Sequence, residues 1–552
     1  MPTTPPASGS PGRLELTWAN KDRRLLAHDD VTYEWVDPAD WRVSEVRLLD
    51  EVGTYGESAP DNLLIHGDSL HALTALSTIP EYAERYLGNI RLCYIDLPFN
   101  TGQTFQHYDD NLEHSVWLTM LRDRLEQIHR LLTGDGSVWV HVDDAEAHRA
   151  RCVLDEVFGA ENFIATVIWE KTHTRENRSA VSVGHEYIHG YAKARGEWAG
   201  TRNTLPASPE QLARYTNPDN DERGPWSSMP AHAKAEKGRR QEQFFTITTP
   251  SGRKLDPPPG RCWLYTRERF DEMVADNRIW FGEHGDNVPR LKKFLSEVQV
   301  GLVPTSIWRQ QEVGTTGTAK AEIQALAPDL TPFSTPKPER LVERIVHINS
   351  APGDLVLDCF AGSGTTAAVA HKLGRRWVTV ELSGDTIERF VLPRLRKVVD
   401  GDDAGGITDA VEWTGGGGFT EARVAPSMFE TIDGTVVLSD WATNGPLAEM
   451  VAAQLKFTPE NRGPFAGRKG RTRLAVIDGM LTIGVADHLL DQLGERENLV
   501  VVAMTLEDGV EEQLRKQRPG SRARKVPRDL ARSGKLPSRL VRLDQASGRQ
   551  DR

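Results

Sequence analysis

Short, apolar segments alternate with longer amphipathic ones in two separate stretches of the chain. The segment Ile90–Ile95 is almost wholly apolar, which is typical of a strand buried on both faces of a sheet. Between Trp117 and Leu132 apolar residues recur at helical spacing, and residues 137–142 return to a strand pattern. The same alternation recurs over residues 355–381. Strands that alternate with helices predict an α/β fold with a parallel sheet and helices on both faces.

The chain has 552 residues, which is more than one hydrophobic core can organise, so several domains are expected. The strand–helix alternation is interrupted by a long irregular stretch rich in Trp, Arg, Pro and Gly. In chain order, the pattern predicts an N-terminal extension (1–60), a first α/β half (61–170), an inserted region (171–334), a second α/β half (335–400), a Gly-rich linker (401–418), a C-terminal α/β domain (419–517) and a basic tail (518–552).

Composition excludes several classes of protein. Hydrophobic residues make up 38% of the chain and charged residues 26%, as in soluble globular proteins. An apolar run of the roughly 20 residues needed to cross a bilayer is absent, and the N-terminus lacks the features of a signal peptide, so we expect a cytoplasmic protein. The four cysteines are scattered, which predicts neither a disulfide framework nor a metal site. The net charge of −12 argues only weakly against a nucleic-acid partner, because basic residues are unevenly placed.

A glycine-rich turn follows the strand that ends at Asp358. Gly362 and Gly364 let the backbone turn sharply and approach a ligand, since neither carries a Cβ. The next strand ends in Glu381, where an acid can accept hydrogen bonds from the ribose hydroxyls of an adenosine. With Ala367 as the third small residue, this segment alone fits a dinucleotide as well as another adenosine-containing cofactor.

The tetrapeptide Asp96-Leu97-Pro98-Phe99 stands at the end of the first buried strand. The Asp96 carboxylate and the Leu97 carbonyl oxygen could each accept a hydrogen bond from one N–H of an exocyclic amino group. Such bonds would keep the nitrogen lone pair out of the ring and make it a better nucleophile toward a sulfonium methyl. Phe99 offers a ring on which an extruded base can stack, and Pro98 stiffens the turn. Alone, such a tetrapeptide is also compatible with an ordinary strand-ending turn; together with the glycine turn it favours S-adenosylmethionine as cofactor.

Further segments carry recognisable motifs. Residues 95–102 read Ile-Asp-Leu-Pro-Phe-Asn-Thr-Gly, residues 185–188 read His-Glu-Tyr-Ile, and residues 360–365 read Phe-Ala-Gly-Ser-Gly-Thr. Across about residues 60–400, the sequence resembles the β-class DNA N6-adenine/N4-cytosine methyltransferases, especially the modification subunits of type III restriction systems. The resemblance implies a Rossmann-like, S-adenosylmethionine-dependent methyltransferase with permuted motif order and an inserted target-recognition region. Apolar runs at residues 474–477 and 499–502 predict the strands of the small C-terminal α/β domain.

The same resemblance implies the residues of the site. The base would be held by Asp96, Leu97, Pro98 and Phe99. The cofactor would be bound by Asp68, Lys337, Asp358, Phe360, Gly362, Gly364, Thr365 and Glu381. One departure is Leu97, which stands where the family usually has proline; its carbonyl is retained while turn rigidity is reduced. Asp rather than Ser at position 96 favours adenine N6 over cytosine N4.

The predicted function is site-specific methylation of a flipped base in double-stranded DNA, in restriction-modification or phage defence. Residues 171–334 would read the sequence with basic side chains. An N4-cytosine methyltransferase, an RNA or protein amide N-methyltransferase, and a catalytically weak DNA-binding subunit remain alternatives. A homodimer and a helicase–restriction subunit are candidate partners, and no membrane partner is expected. The prediction requires that the strands ending at Asp96 and Asp358 lie side by side.

Overall fold

The computed structural model describes most of the chain. The described residues are 15–27, 33–38, 40–57, 61–97, 113–175, 180–207, 212–235, 240–297, 301–328, 333–432, 435–439, 445–526 and 541–542. Contact density divides the chain into two compact units: residues 204–304 form one, and the sequence on either side of them forms the other.

A ten-stranded sheet lies at the centre of the larger unit. From one edge to the other its strands are Ile307–Trp308, Phe163–Glu170, His185–Ala192, Leu132–Val142, Ile90–Asp96, Leu355–Asp358, Arg376–Glu381, Asn62–His66, Gly418–Val424 and Leu49–Gly56. The six strands from Leu132–Val142 to Gly418–Val424 run parallel to one another. On the outer side of this parallel group, Leu132–Val142 pairs with the antiparallel strand His185–Ala192, and Gly418–Val424 pairs with the antiparallel strand Leu49–Gly56. The predicted α/β class with a mainly parallel sheet is confirmed.

Helices connect the parallel strands and cover the apolar core. The principal ones are Ser69–Thr78, His114–Leu131, Ala147–Phe158, Glu339–Asn349, Thr365–Lys372 and Leu392–Asp400. Every residue from Ile90 to Ile95 is buried, which explains why that strand is apolar throughout rather than alternating. Trp117 and Leu121 of the second helix are fully buried in the same core, as the helical spacing of the apolar residues requires.

Four strands of the central sheet come from stretches that the sequence pattern assigned elsewhere. His185–Ala192 and Ile307–Trp308 lie in the predicted insert, and the other two lie outside it. Leu49–Gly56 lies in the predicted N-terminal extension, and Gly418–Val424 spans the predicted boundary between linker and C-terminal domain. The first is an edge strand whose residues are mostly exposed, so it lacks the apolar alternation that marks a half-buried strand. The second follows a run of glycines that reads as a linker.

The smaller unit, residues 204–304, is built from short antiparallel ladders and one helix. Its elements are Trp226–Pro230, His232–Lys234, Ile247–Thr248, Lys254–Leu255, Arg261–Trp263, the helix Arg267–Ala275, Ile279–Trp280 and Arg290–Phe294. Trp263 and Phe270 form the centre of its core. Lys292, a basic residue of the predicted insert, is buried, and its ammonium lies 3.2 Å from a carboxylate oxygen of Asp221. The predicted insert was wider (171–334); the strand His185–Ala192 within it belongs to the central sheet.

The C-terminal region contains a five-stranded sheet, most of which lies within the stretch predicted as an α/β domain. Its strands are Thr458–Arg462, Phe465–Lys469, Thr472–Leu481, Asn498–Leu506 and Arg522–Lys525, and its helices are Pro446–Leu455, Ile483–Asp491 and Val510–Gln517. Its last strand lies within the predicted basic tail and pairs in parallel with Asn498–Leu506. Part of that tail therefore belongs to the folded domain.

The remaining described elements are short. They are the strands Arg24–Ala27, Tyr33–Val36, Phe429–Ile432, Thr435–Leu438 and Val541–Arg542, and the helices Trp41–Ser44, Pro80–Tyr86, Arg195–Thr201, Gln310–Val313, Thr316–Leu326 and Gly384–Thr386. A π-helical turn, Ile387–Val391, leads into Leu392–Asp400. Among the described residues, no helix is both long enough and apolar enough to span a bilayer.

Candidate active site

A cavity of about 720 Å³ opens at the carboxyl ends of the parallel strands. The strands ending at Asp96 and Asp358 are direct neighbours, paired through Cys93 and Leu357, and the strand ending at Glu381 lies on the far side of the Asp358 strand. The side-by-side arrangement that the sequence required is confirmed. The predicted site residues that line this cavity are Asp68, Asp96, Leu97, Lys337, Asp358, Phe360, Gly362, Thr365 and Glu381.

Three predicted site residues do not appear in that lining. Pro98 and Phe99 lie outside the described residues, so the second half of the tetrapeptide has no structural account. Gly364 ends the glycine turn without lining the cavity; it precedes the helix Thr365–Lys372 and has a φ of 75°. A Cβ at this position would lie 3.3 Å from a methyl carbon of Val391, so both the backbone conformation and the close packing favour glycine.

Glu381 joins its strand end to the glycine turn. One of its carboxylate oxygens accepts a hydrogen bond from the Gly362 N–H at 2.9 Å, and the other accepts one from the Ser383 N–H at 2.9 Å. Burial raises the pKa of Glu381. Since a carboxylate has about four acceptor positions, each oxygen keeps a position for a hydroxyl group in the cavity.

Lys337 lies against Asp96 rather than free in the cavity. Its ammonium donates hydrogen bonds to both carboxylate oxygens of Asp96, at 2.8 and 2.7 Å. The Lys337 side chain is only 6% exposed, and the residue stands just before the helix Glu339–Asn349. This contact fixes the orientation of the Asp96 carboxylate and leaves one acceptor position on each oxygen.

A buried polar chain lies behind Asp96. The Tyr94 hydroxyl and His141 Nδ1 are 2.8 Å apart, and His141 Nε2 and a Glu186 oxygen are also 2.8 Å apart. Burial and the charge of Lys337 lower the pKa of His141. Burial alone would raise the pKa of Glu186, but Lys337 and the contact with His141 hold it well below its usual range. The charge of Lys337 therefore acts on two carboxylates, those of Asp96 and Glu186. The neutral imidazole of His141 lies between Tyr94 and Glu186.

Asp358 is a buried carboxyl group at the middle of the row of strand ends. Its Oδ1 accepts a hydrogen bond from the Phe360 N–H at 3.0 Å. Burial raises the pKa of Asp358 to about 7, and the neighbouring carboxylates of Asp96 and Glu381 add to the increase. Near neutral pH this group is therefore protonated in part of the molecules.

Thr365 contributes to the shape of the glycine turn. Its hydroxyl accepts a hydrogen bond from Arg394 at 2.8 Å and lies 3.1 Å from the Ser363 hydroxyl. Arg394 is fully buried and also donates to Glu339 at 2.7 Å. The turn is thereby connected to the helix Glu339–Asn349, which begins two residues after Lys337.

Other residues of the cavity were not identified from the sequence. They include Arg47, Tyr94, Arg124, Glu381's neighbour Leu382, and Arg423. Arg47 and Arg423 come from two of the stretches that were not recognised as parts of the central sheet, so no local signal marked them. Arg124 lies in the helix His114–Leu131, which the sequence predicted from its apolar residues only, so the pattern gave no role to this basic residue.

A glycine turn, a strand-end acid and a second strand-end carboxylate in one cleft define an α/β protein with a ligand site at the carboxyl edge of its sheet. The family model described as DNA methylase matches residues 90–391. This match covers more than half of the chain, and the chain belongs to that family.

Several curated proteins are similar to this chain. It is 27% identical over 429 residues to the probable type III restriction-modification enzyme HindVI Mod subunit of Haemophilus influenzae, covering 69% of this chain and 56% of the relative. It is 30% identical over 338 residues to the StyLTI Mod subunit of Salmonella typhimurium, covering 55% and 49%. The match to the type II methyltransferase M.EcaI of Enterobacter cloacae is 29% identical over 315 residues, covering 55% and 65%. The chain thus spans about half the length of the type III relatives it matches.

Among solved structures, the cytosine-N4-specific PvuII DNA methyltransferase matches at 15% identity with a TM-score of 0.34, covering 65% of this chain and 95% of that one. The M1.HpyAVI–SAM complex matches at 12% identity with a TM-score of 0.29, covering 60% and 100%.

Proposed function

We propose that this protein is a site-specific DNA methyltransferase that transfers the methyl group of S-adenosylmethionine to the exocyclic amine of a flipped base, adenine N6. The observation that carries the proposal is the adjacency of the Asp96 and Asp358 strand ends within one cavity, with Glu381 on the next strand. A cofactor bound at Glu381 and the glycine turn would have its methyl-bearing sulfonium directed toward Asp96. The family membership and the relatives named as methyltransferases support the same activity.

The residues of the cavity fit S-adenosylmethionine. Gly362 has a φ of 52° and no Cβ, so its backbone can lie against a ligand. Glu381 keeps acceptor positions for the two ribose hydroxyls, and Phe360 lines the cavity beside it. When bound, the cofactor supplies a methyl group already activated on its sulfonium. Asp68 and Asp358 would complete the binding surface, whereas Thr365 would act through the shape of the turn.

Asp96 and Leu97 would hold the amine of the base. With Lys337 occupying one position on each Asp96 oxygen, the remaining positions can accept an N–H of the amine. The Leu97 carbonyl would accept the other N–H, so that the nitrogen lone pair points toward the methyl group. After transfer, the Asp96 carboxylate is placed to take the proton that the methylated amine loses. In this role Lys337 is a positioning residue for Asp96 rather than a cofactor ligand.

The target sequence would be read by the inserted region, residues 171–334, whose independent core lies in the unit 204–304. Exposed basic side chains of this unit include Arg253, Lys254, Arg290 and Lys293, which can neutralise phosphates or read guanine edges. Because the type III relatives are Mod subunits, we propose a restriction subunit as partner in the cytoplasm, and a homodimer as the form that binds double-stranded DNA.

The test is methylation of unmethylated genomic DNA with radiolabelled S-adenosylmethionine, followed by nucleoside analysis. Wild-type protein is compared with Asp96→Ala and with Asp61→Asn, a control at an exposed carboxylate. Label in N6-methyladenine that is lost only with Asp96→Ala supports the proposal. Label in N4-methylcytosine corrects the base, label only in RNA or protein replaces the substrate class, and DNA binding without label leaves a DNA-binding subunit.

A further inference from the structure

The cavity continues past Glu381 to the end of the neighbouring strand, Asn62–His66. Asp68 follows that strand and caps the helix Ser69–Thr78 by accepting a hydrogen bond from the Leu70 N–H at 2.8 Å. The guanidinium of Arg124 joins this corner from another helix: Nη2 donates to Asp68 Oδ2 at 2.7 Å, and Nε donates to the Ser69 hydroxyl at 3.0 Å. Asp68, Ser69 and Arg124 form what is called here the Arg124 corner.

One donor of this corner is not used by the protein. Arg124 is 2% exposed, yet its Nη1 is buried and has no hydrogen-bond partner among the described residues. Arg124 also lines the cavity. A buried guanidinium N–H without an acceptor is costly, so its persistence at a cavity wall indicates that a ligand supplies the acceptor.

The other groups around the corner indicate an uncharged polar ligand. Burial and the nearby cations Arg47 and Arg124 lower the pKa of His71 to about 3, so this imidazole is neutral. The charge of Arg124 is already matched by Asp68. Burial raises the pKa of Asp68, but Arg124, His71 and the backbone N–H groups of Leu70 and His71 together bring it below its usual value. What the corner offers is therefore a single donor, Nη1, next to a carboxylate that can accept.

The order of the strands decides which part of the cofactor reaches the corner. The strand ends run in the order Asp96, Asp358, Glu381 and His66, with neighbouring strands about 4.8 Å apart. If Glu381 binds the ribose and the methyl group meets the base at Asp96, the sulfonium side of the cofactor extends toward Asp96. The adenine is attached on the opposite side of the ribose ring from the sulfonium arm. It would then extend toward the His66 strand end, where Asp68 and Arg124 lie.

We propose that Arg124 is a specificity-determining residue: its Nη1 donates a hydrogen bond to a ring nitrogen of the cofactor's adenine, beside Asp68, which accepts from the adenine amine. Arg124 and Asp68 would then favour adenine over purines that do not present an amine donor next to a ring-nitrogen acceptor. The proposal rests on the proposed function for the identity of the cofactor, and it adds a residue outside every motif that the sequence marked.

Binding of S-adenosylhomocysteine by the full-length protein, without DNA, tests the proposal by calorimetry. The ligand is compared with its 1-deaza, 3-deaza and 7-deaza analogues, each of which lacks one ring nitrogen. We expect either the 1-deaza or the 7-deaza analogue, which lack the ring nitrogens beside the amine, to bind wild-type protein about 10- to 100-fold more weakly, as for a lost bond to a charged donor. The 3-deaza analogue should bind like the parent ligand. Arg124→Lys keeps a cation beside Asp68 but loses the second N–H group of the guanidinium. In this variant, replacing the same ring nitrogen by carbon should lower the affinity by less than about 3-fold.

Arg122→Lys is the matched control, because Arg122 lies on the same helix and donates to the Arg23 carbonyl rather than into the cavity. This control should keep the full deaza penalty. Equal affinities for all analogues, or a penalty of the same size in Arg124→Lys, would overturn the proposal. If Arg124→Lys does not fold, the wild-type series decides: a loss confined to N1 or to N7, the ring nitrogens beside the amine, supports the proposal, and no loss or a loss at N3 overturns it. Failure of wild-type protein to bind S-adenosylhomocysteine at all would overturn the cofactor assignment itself, whereas absence of DNA methylation alone would not.

Discussion

Replacing Asp358 with asparagine should change how the stability of the central sheet depends on pH. Burial raises the pKa of this carboxyl group from 3.8 to about 7, so the folded protein holds the proton more tightly than the unfolded chain does. The stability gained in this way is fully present below a pH of about 3.8 and is lost as the pH rises through about 7. The charged form is the one that the buried site disfavours.

The size of the effect follows from the shift in pKa. Between pH 5 and pH 8.5, the free energy of unfolding should fall by about 3 kcal/mol because of Asp358 alone. In Asp358→Asn this loss is absent, since the amide cannot ionise. The amide oxygen can still accept the hydrogen bond from the Phe360 N–H, which measures 3.0 Å in the wild type. The variant should therefore gain about 3 kcal/mol relative to wild type across this range.

Hydrogen exchange under increasing urea, measured by mass spectrometry on peptides that cover Leu355–Asp358, gives the opening free energy of this part of the sheet. The measurement is made at pH 5, 7 and 8.5 on wild type, Asp358→Asn and the exposed control Asp61→Asn. The control should follow the wild type at every pH. A difference between Asp358→Asn and wild type that stays the same at all three pH values would refute the argument, because it would show that the carboxyl group does not titrate in this range.

Three further predictions concern the site and its support. Lys337→Met removes both hydrogen bonds to Asp96 and should slow methyl transfer about 100-fold in single-turnover assays, while S-adenosylhomocysteine binds within about 3-fold; a large loss of binding would instead make Lys337 a cofactor ligand. Gly364→Ala should lower the free energy of unfolding by about 1–2 kcal/mol, since φ is 75° and the new Cβ would lie 3.3 Å from Val391; unchanged thermal stability would argue against strain there. Glu339→Gln removes the carboxylate shared by two buried cations and should cost about 3–5 kcal/mol in thermal unfolding; a neutral effect would mean that the cations find other partners.

Local pattern was sufficient for the parts of the site that lie on one strand end each. The apolar run before Asp96 and the glycine turn after Asp358 are short-range signals, because a strand buried on both faces must be apolar and a sharp turn near a ligand favours glycine. Parallel strands that alternate with helices then bring their carboxyl ends to one edge. That is why both strand ends could be expected at one edge of the sheet. Their direct adjacency was a requirement of the predicted function, which the structure meets.

The contacts that set the chemistry of those side chains could not be predicted in this way. Lys337 meets Asp96 across 241 residues of sequence, and Arg124 meets Asp68 across 56. No periodicity relates such positions, since their approach depends on how helices pack on the finished sheet.

The amino-acid sequence by itself determined the fold class and the order of the motifs, because both follow from hydrophobic periodicity and turn chemistry within a few residues. Only the tertiary structure decided which stretches complete the sheet, as Leu49–Gly56 and Gly418–Val424 show. It also decided which charges face each carboxylate. The physical reason is that desolvation and ion pairing depend on distances in space, and only packing fixes these distances.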